Sequence, residues 1–148
     1  LGKSELLKMV RYLQHRYKTA DPFQIAVQLN IQVEYVDIGC EENGCEGHCR
    51  YILGQPVIFL SSELKGSDRA YWAMAHELGH ILMHKDAPRY YRVTYDSSGR
   101  TKAEYEADCF ALKLLTLLYA EDYGDLPDTY HDLQCAYGLP ELNHQIAL

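Results

Sequence analysis

The chain contains no run of 18 or more uninterrupted apolar residues, so no segment reads as a membrane-spanning helix. It does not open with a basic-then-apolar secretory pattern, which leads to the expectation of a cytoplasmic protein. Basic residues are sparse: 14 Lys and Arg stand against 21 Asp and Glu, the net charge is −7, and no Lys/Arg cluster occurs. A surface of that sign repels a phosphate backbone, so direct nucleic-acid binding is disfavoured; the same charge also favours solubility. Cysteine is scarce and odd in number, at five residues: Cys40, Cys45, Cys49, Cys109 and Cys135. Without a secretory segment, reduced thiols are expected rather than disulfides. Cys40, Cys45, His48 and Cys49 crowd together, but not at the C-x-x-C spacing of a structural zinc site. Gly39, Gly44 and Gly47 mark turns there, so the cluster reads as a loop carrying free thiols. Internal repeats and low-complexity tracts are absent. What remains is 148 residues with 47% hydrophobic content, enough for one packed core and an expected single domain over 1–148.

Within that chain, His76-Glu77-Leu78-Gly79-His80 is the segment that carries chemistry. It lies in a stretch that reads as helix, and imidazoles four residues apart stand on one helix face, one turn above each other. Both can reach one metal ion, with Glu77 beside them as a base for an activated water. The arrangement points to zinc-dependent hydrolysis, provided that a third protein ligand exists.

His84 continues the four-residue spacing, but eight residues of helix rise about 12 Å, whereas zinc ligands lie only about 2 Å from the metal. His76 and His84 therefore cannot share an ion on one straight helix. The alternative H-E-x-x-H-x-x-G-x-x-H scheme fails because Met83 and Asp86 occupy the two required positions. His84 is read as a capping or packing residue. The better candidate is in Lys102-Ala103-Glu104-Tyr105-Glu106-Ala107-Asp108, also helical in pattern. Glu104 and Asp108 share a face, whereas Glu106 points about 200° away from Glu104. Glu104 is taken as the third ligand and Asp108 as the partner of the far nitrogen of a ligating His, fixing its tautomer. Phe110, Ala111, Leu114, Leu115 and Leu118 continue as an apolar stripe that would press this helix into the core.

His76-Glu77-Leu78-Gly79-His80 followed by Glu104-x-Glu106-Ala107-Asp108-x-Phe110-Ala111-x-x-Leu114-Leu115 resembles the ImmA/IrrE family of metallopeptidases, whose pattern is H-E-L-G-H with a later E-x-E-A-N/D-x-F-A-x-x-L-L. The lead Trp72-Ala73-Met74-Ala75 and the trailing Ile81-Leu82-Met83-His84 match as well, and the resemblance covers nearly the whole chain. It implies His76, His80 and Glu104 as ligands of one Zn2+ in a gluzincin-like set, with Glu77 as the base. It further implies a selective endopeptidase that cuts a helix-turn-helix transcriptional repressor of a mobile element or stress response. One departure stands out: the family commonly has Met-Pro after the double leucine, where this chain has Thr116-Leu117.

The remaining pattern supplies a frame for these helices. Ser4 is expected to cap a first helix with Leu6, Val10, Leu13 and Tyr17 inward, and Asp21-Pro22 to open a second one. Alternation over Ile31–Ile38 reads as a strand, and Arg50–Leu53 and Val57–Leu60 as two more around Gly54-Gln55-Pro56. Pro56 belongs at an edge or a strand start. The metal helix should begin at Ser67 or Asp68, and the Glu104 helix should run from about Thr101 to Ala120, with a turn at Asp122–Pro127. Gly79 suits a close crossing against another element. Tyr91 and Tyr95, in a loop over Lys85–Arg100, are candidate cleft or oxyanion groups, as is His131. Asp128–Tyr137 and Pro140–Ala147 read as a helix pair broken at Gly138, within a helical substructure over 121–148. That pair resembles the opening of a helix-turn-helix, but its second member has no Lys or Arg, so packing or protein recognition is expected rather than DNA contact. The expected class is α+β: a small, mostly antiparallel sheet on a helical zincin-like core, with a C-terminal helix pair. A second functional reading is a non-catalytic, zinc-stabilised module that binds a repressor or other regulatory protein without cutting it.

Overall fold

A computed structural model describes residues 2–37, 46–84 and 102–141. Two helices come first, α1 (Lys3–Tyr17) and α2 (Pro22–Gln28), then strands β1 (Gln32–Val36), β2 (Gly47–Ile52) and β3 (Gln55–Ser61). A 3-10 turn (Ser62–Leu64) leads to α3 (Arg69–Met83), followed by α4 (Lys102–Tyr123) and α5 (Tyr130–Tyr137). The architecture is α+β, as expected.

Local chemistry sets most element ends. The Asp21 side chain accepts from the Phe23 N–H at 2.9 Å, and Pro22 fills the first helical position, where its missing N–H costs nothing. The cap of α1 differs from expectation: Gly2, not Ser4, is the N-cap, and the Glu5 carboxylate reaches back to the Gly2 N–H at 3.3 Å. The inward face is as read, with Leu6, Val10 and Leu13 buried and Tyr17 packed against the core. β2 and β3 form a hairpin whose two turn residues, Leu53 (φ 52°) and Gly54 (φ 80°), both take the left-handed conformation, the geometry of a tight primed turn.

The sheet has strand order β1-β3-β2 and is mixed rather than mostly antiparallel. β2 pairs antiparallel with β3, while β1 runs parallel to it with Val33 opposite Ile58 and Tyr35 opposite Leu60. The hairpin takes one side of β3, so β1 pairs on the other; its direction there is a matter of chain path, which strand patterning does not encode. β3 is central, and Pro56 is tolerated in it as its second residue.

Ile58 and Leu60 join Val10, Ile25, Met74, Leu78, Phe110, Leu114, Leu115 and Leu133 in a contiguous core. α3 is apolar on nearly every side, with Trp72, Ala73, Met74, Ala75, Leu78 and Ile81 all buried. α4 packs against α3 and carries its own buried row of Ala107, Phe110, Ala111, Leu114, Leu115 and Leu118. Gly79 sits where α3 meets Phe110 of α4: a Cβ there would lie 2.9 Å from the Phe110 ring. α4 runs unbroken through Thr116-Leu117, as expected, with Thr116 Oγ1 donating back to the Leu112 carbonyl at 2.7 Å. One expectation about α4 needs correction: it continues past Ala120 into the expected turn. Glu121 is held in the helix by three donors, the Ala20 N–H (2.6 Å), Thr19 Oγ1 (2.7 Å) and Gln14 Nε2 (2.8 Å), which tie the end of α4 to the α1–α2 junction.

α5 is capped by Thr129 and Asp132 and ends at Gly138 (φ 65°). A Cβ on Gly138 would meet Arg69 Cα at 2.8 Å, and Arg69 donates to the Gly138 carbonyl, so this turn is seated on the start of α3. The expected second helix at Pro140–Ala147 falls almost wholly outside the described residues. No helix among the described residues is long and apolar enough to cross a membrane.

Candidate metal centre

Three side chains from two helices converge at the α3–α4 interface. His76 and His80, one turn apart on α3, face Glu104 in the first turn of α4. His76 Nε2 lies 2.8 Å from Glu104 Oε2, His80 Nε2 lies 2.9 Å from the same oxygen, and the two Nε2 atoms are 3.2 Å apart. The cluster is half-buried: His80 is 1% exposed, while His76 and Glu104 keep 16% and 22% of their side-chain surface. These three are the described group of side chains able to hold a metal ion.

Hydrogen-bond accounting bears on what the cluster could hold. His76 Nδ1 is 2.8 Å from Asp108 Oδ1, and an ionised carboxylate only accepts, so Nδ1 carries the hydrogen. With a single hydrogen on the ring, His76 then turns a lone pair from Nε2 onto Glu104. On the other ring, His80 Nδ1 is 3.0 Å from His84 Nδ1, and His84 Nε2 is 3.3 Å from Glu106 Oε1. Two imidazole lone pairs and a carboxylate oxygen thus converge on one point, which is repulsive without positive charge between them. Ligand atoms about 2.0–2.2 Å from a tetrahedral zinc stand roughly 3.3–3.6 Å from each other, and the observed separations of 2.8, 2.9 and 3.2 Å fall below that range by up to about half an ångström. Donor chemistry and spacing therefore both fit a divalent ion of the zinc type. Burial pushes the Glu104 carboxyl up, but hydrogen bonds and positive charge at His76 and His80, which protonated rings supply when no ion does, outweigh it and hold the group well below the usual carboxylate range.

Glu77 is also buried, and its Oε2 lies 3.9 Å from His76 Nε2, on the side where the donors meet. β2 passes beside it: a Cβ on Gly47 would touch Glu77 Cγ at 3.4 Å. A carboxylate beside a cation site but outside its ligand set is placed to handle protons there.

The sequence-derived candidates therefore divide. His76, His80 and Glu104 come together, Asp108 stands behind His76, and Glu77 flanks them. Glu106 points away from Glu104 and toward His84. His131 does not join the group: α5 buries Leu133 and Tyr137, which turns His131 outward, where its Nε2 is 3.4 Å from Cys135 Sγ. Tyr91 and Tyr95 lie outside the described residues, as do Cys40 and Cys45. The contact of His84 with both His80 and Glu106 was missed by sequence reasoning; the only signal was a third His at the same four-residue interval.

The family model of the IrrE N-terminal-like domain, a peptidase family, matches residues 13–119. A Bacillus phage phi105 protein, "Uncharacterized immunity region protein 2", is 30% identical over 146 residues, spanning 97% of this chain and 90% of its own length. No solved structure matches significantly. The family match runs from α1 into α4 and takes in both helices that carry the converging donors: the chain belongs to the ImmA/IrrE family, with an IrrE N-terminal-like peptidase domain.

Proposed function

We propose that this protein is a zinc-dependent endopeptidase whose substrate is a helix-turn-helix transcriptional repressor of a mobile element. The observation that carries the hydrolase reading is the convergence of His76 Nε2, His80 Nε2 and Glu104 Oε2 with Glu77 Oε2 only 3.9 Å from His76 Nε2. A purely structural site has no use for that fourth group. His76, His80 and Glu104 would hold the ion, and Asp108 would orient His76. When bound, zinc supplies a Lewis acid that acidifies water and polarises a scissile carbonyl. Glu77 accepts the proton of the attacking water on its carboxylate and returns it to the departing amine nitrogen. Such a general base typically contributes a factor of about 10²–10⁴. Burial of Glu77 keeps bulk water from competing for that proton.

The substrate class rests on kinship. The family acts on repressors, and the phage relative is named for an immunity region, the kind of locus that a repressor governs. The net charge of −7 supports a protein substrate rather than a nucleic acid, and a cytoplasmic site of action follows from that substrate.

The test is to incubate the purified protein with repressors encoded next to it, with and without a chelator, and to resolve fragments on a gel. Metal-dependent fragments are expected from the wild type, and Glu77→Gln should retain zinc but lose cleavage. Cleavage at the wild-type rate by Glu77→Gln overturns the assigned base. A stable complex of two intact chains, insensitive to that substitution, would mark a binding module instead.

A further inference from the structure

The four-residue series on α3 does not stop at the second ligand. His84 is the C-cap of α3, its N–H donating to the His80 carbonyl at 2.8 Å, and its side chain is only 9% exposed. As a cap alone, it would need no buried ring. Instead the ring bridges two helices: Nδ1 meets His80 Nδ1 at 3.0 Å, and Nε2 meets Glu106 Oε1 of α4 at 3.3 Å.

We propose that His84 and Glu106 form a positioning pair that fixes the tautomer and aim of the metal ligand His80, a counterpart to what Asp108 does for His76. The chemistry follows from donor counting. Glu106 accepts only, so a His84 ring with one hydrogen carries it on Nε2. His84 Nδ1 then offers a lone pair, and its contact with His80 closes only when His80 Nδ1 carries the hydrogen. That leaves His80 Nε2 as a lone pair directed at Glu104 and the metal position. Were His80 to adopt the other tautomer, its hydrogen would point into the ligand cluster and its Nδ1 lone pair would face that of His84. The relay Glu106–His84–His80 therefore holds the ring in the form that binds a cation. A histidine ligand's far nitrogen is usually oriented by a carboxylate or a carbonyl. Here the carboxylate acts at one remove, through a second imidazole. It also ties the end of α3 to the first turns of α4, on the other side of the centre from the Asp108–His76 contact.

The inference rests on His80 being a metal ligand, so zinc affinity of the wild type is measured first, by competition with a chromophoric chelator. Wild type that takes up no zinc overturns the metal reading itself. Given binding, His84→Phe, which keeps a ring but removes the acceptor, should weaken zinc affinity by about 10–100-fold. Glu106→Ala should weaken it too, and Glu106→Gln, which retains an accepting oxygen for His84, should restore it toward wild type. Equal affinity of His84→Phe and wild type overturns the pair while leaving the zinc site standing. Should His84→Phe fail to fold, the zinc-loaded wild type decides the matter by NMR of ¹⁵N-labelled histidine. A scalar coupling across the hydrogen bond between His80 Nδ1 and His84 Nδ1 is expected; a hydrogen found on His84 Nδ1 instead refutes the relay.

Discussion

Gly79→Ala is the substitution that most directly probes how the fold sets the metal centre. The residue lies between Leu78 and His80 in the middle of α3, where alanine would ordinarily stabilise the helix by about 1 kcal/mol. The added methyl has nowhere to go. It would sit 2.9 Å from Phe110 Cδ1, 3.1 Å from Cγ and 3.3 Å from Cβ, and Phe110 is fully buried. Ordinary contact begins near 3.4 Å, so either the ring or one helix must shift by several tenths of an ångström. Overpacking of this kind costs about 1–3 kcal/mol, which matches or exceeds the propensity gain. The net expectation is a loss of up to about 2 kcal/mol, seen as a melting temperature lowered by up to roughly 8 °C for a chain of this size. The second consequence concerns the metal. Glu104 stands on the same helix as Phe110, less than two turns away, and its oxygen must stay within 2.8–2.9 Å of two imidazole nitrogens. Pushing α4 off α3 at Gly79 therefore lowers zinc affinity as well as stability. Thermal melts of the metal-free protein and chelator competition would measure the two effects. Phe110→Leu added to Gly79→Ala should recover part of both losses, giving a favourable coupling of about 1 kcal/mol in a double-mutant cycle. A Gly79→Ala protein as stable as wild type, with unchanged zinc affinity, would show that the glycine is not required by the crossing.

Other consequences can be checked separately. Asp108→Ala removes the acceptor for His76 Nδ1–H and should weaken zinc binding by about 10–100-fold, read by the same competition assay. Removing the proposed zinc ion by chelation should uncouple α3 from α4 and lower the melting temperature by about 5–15 °C, the effect expected of losing a ligand present at hundreds to thousands of times its dissociation constant. Tyr137 donates its hydroxyl to Asp122 Oδ2 at 2.7 Å, and burial together with this carboxylate pushes its pKa up. Above the ordinary tyrosine value of about 10 the unfolded chain sheds this proton while the folded chain keeps it, so stability falls as pH rises past that point. Tyr137→Phe should accordingly lower the melting temperature at neutral pH, and the gap to wild type should narrow above about pH 10 in melts across pH 8–11.

The unaided sequence determined what depends on spacing along one chain segment. His76 and His80 had to share a helix face because 3.6 residues make a turn, and Glu104 had to face the same way as Asp108 and away from Glu106 for the same reason. The Asp21-Pro22 helix start, the hairpin around Gly54 and the apolar stripe of α4 were legible likewise, since caps, turns and amphipathic rows are local. Tertiary structure decided whatever depends on distance between segments. It brought Glu104 to His76 and His80, ran β1 parallel to β3, and carried α4 past Ala120 by giving Glu121 three donors from the α1–α2 junction. It also gave His84 a role that pattern could not reveal. Rise along the helix rules His84 out as a ligand of the ion that His76 holds, but a hydrogen bond needs only a neighbour, and that neighbour's tautomer depends on Glu106, which a separate helix supplies.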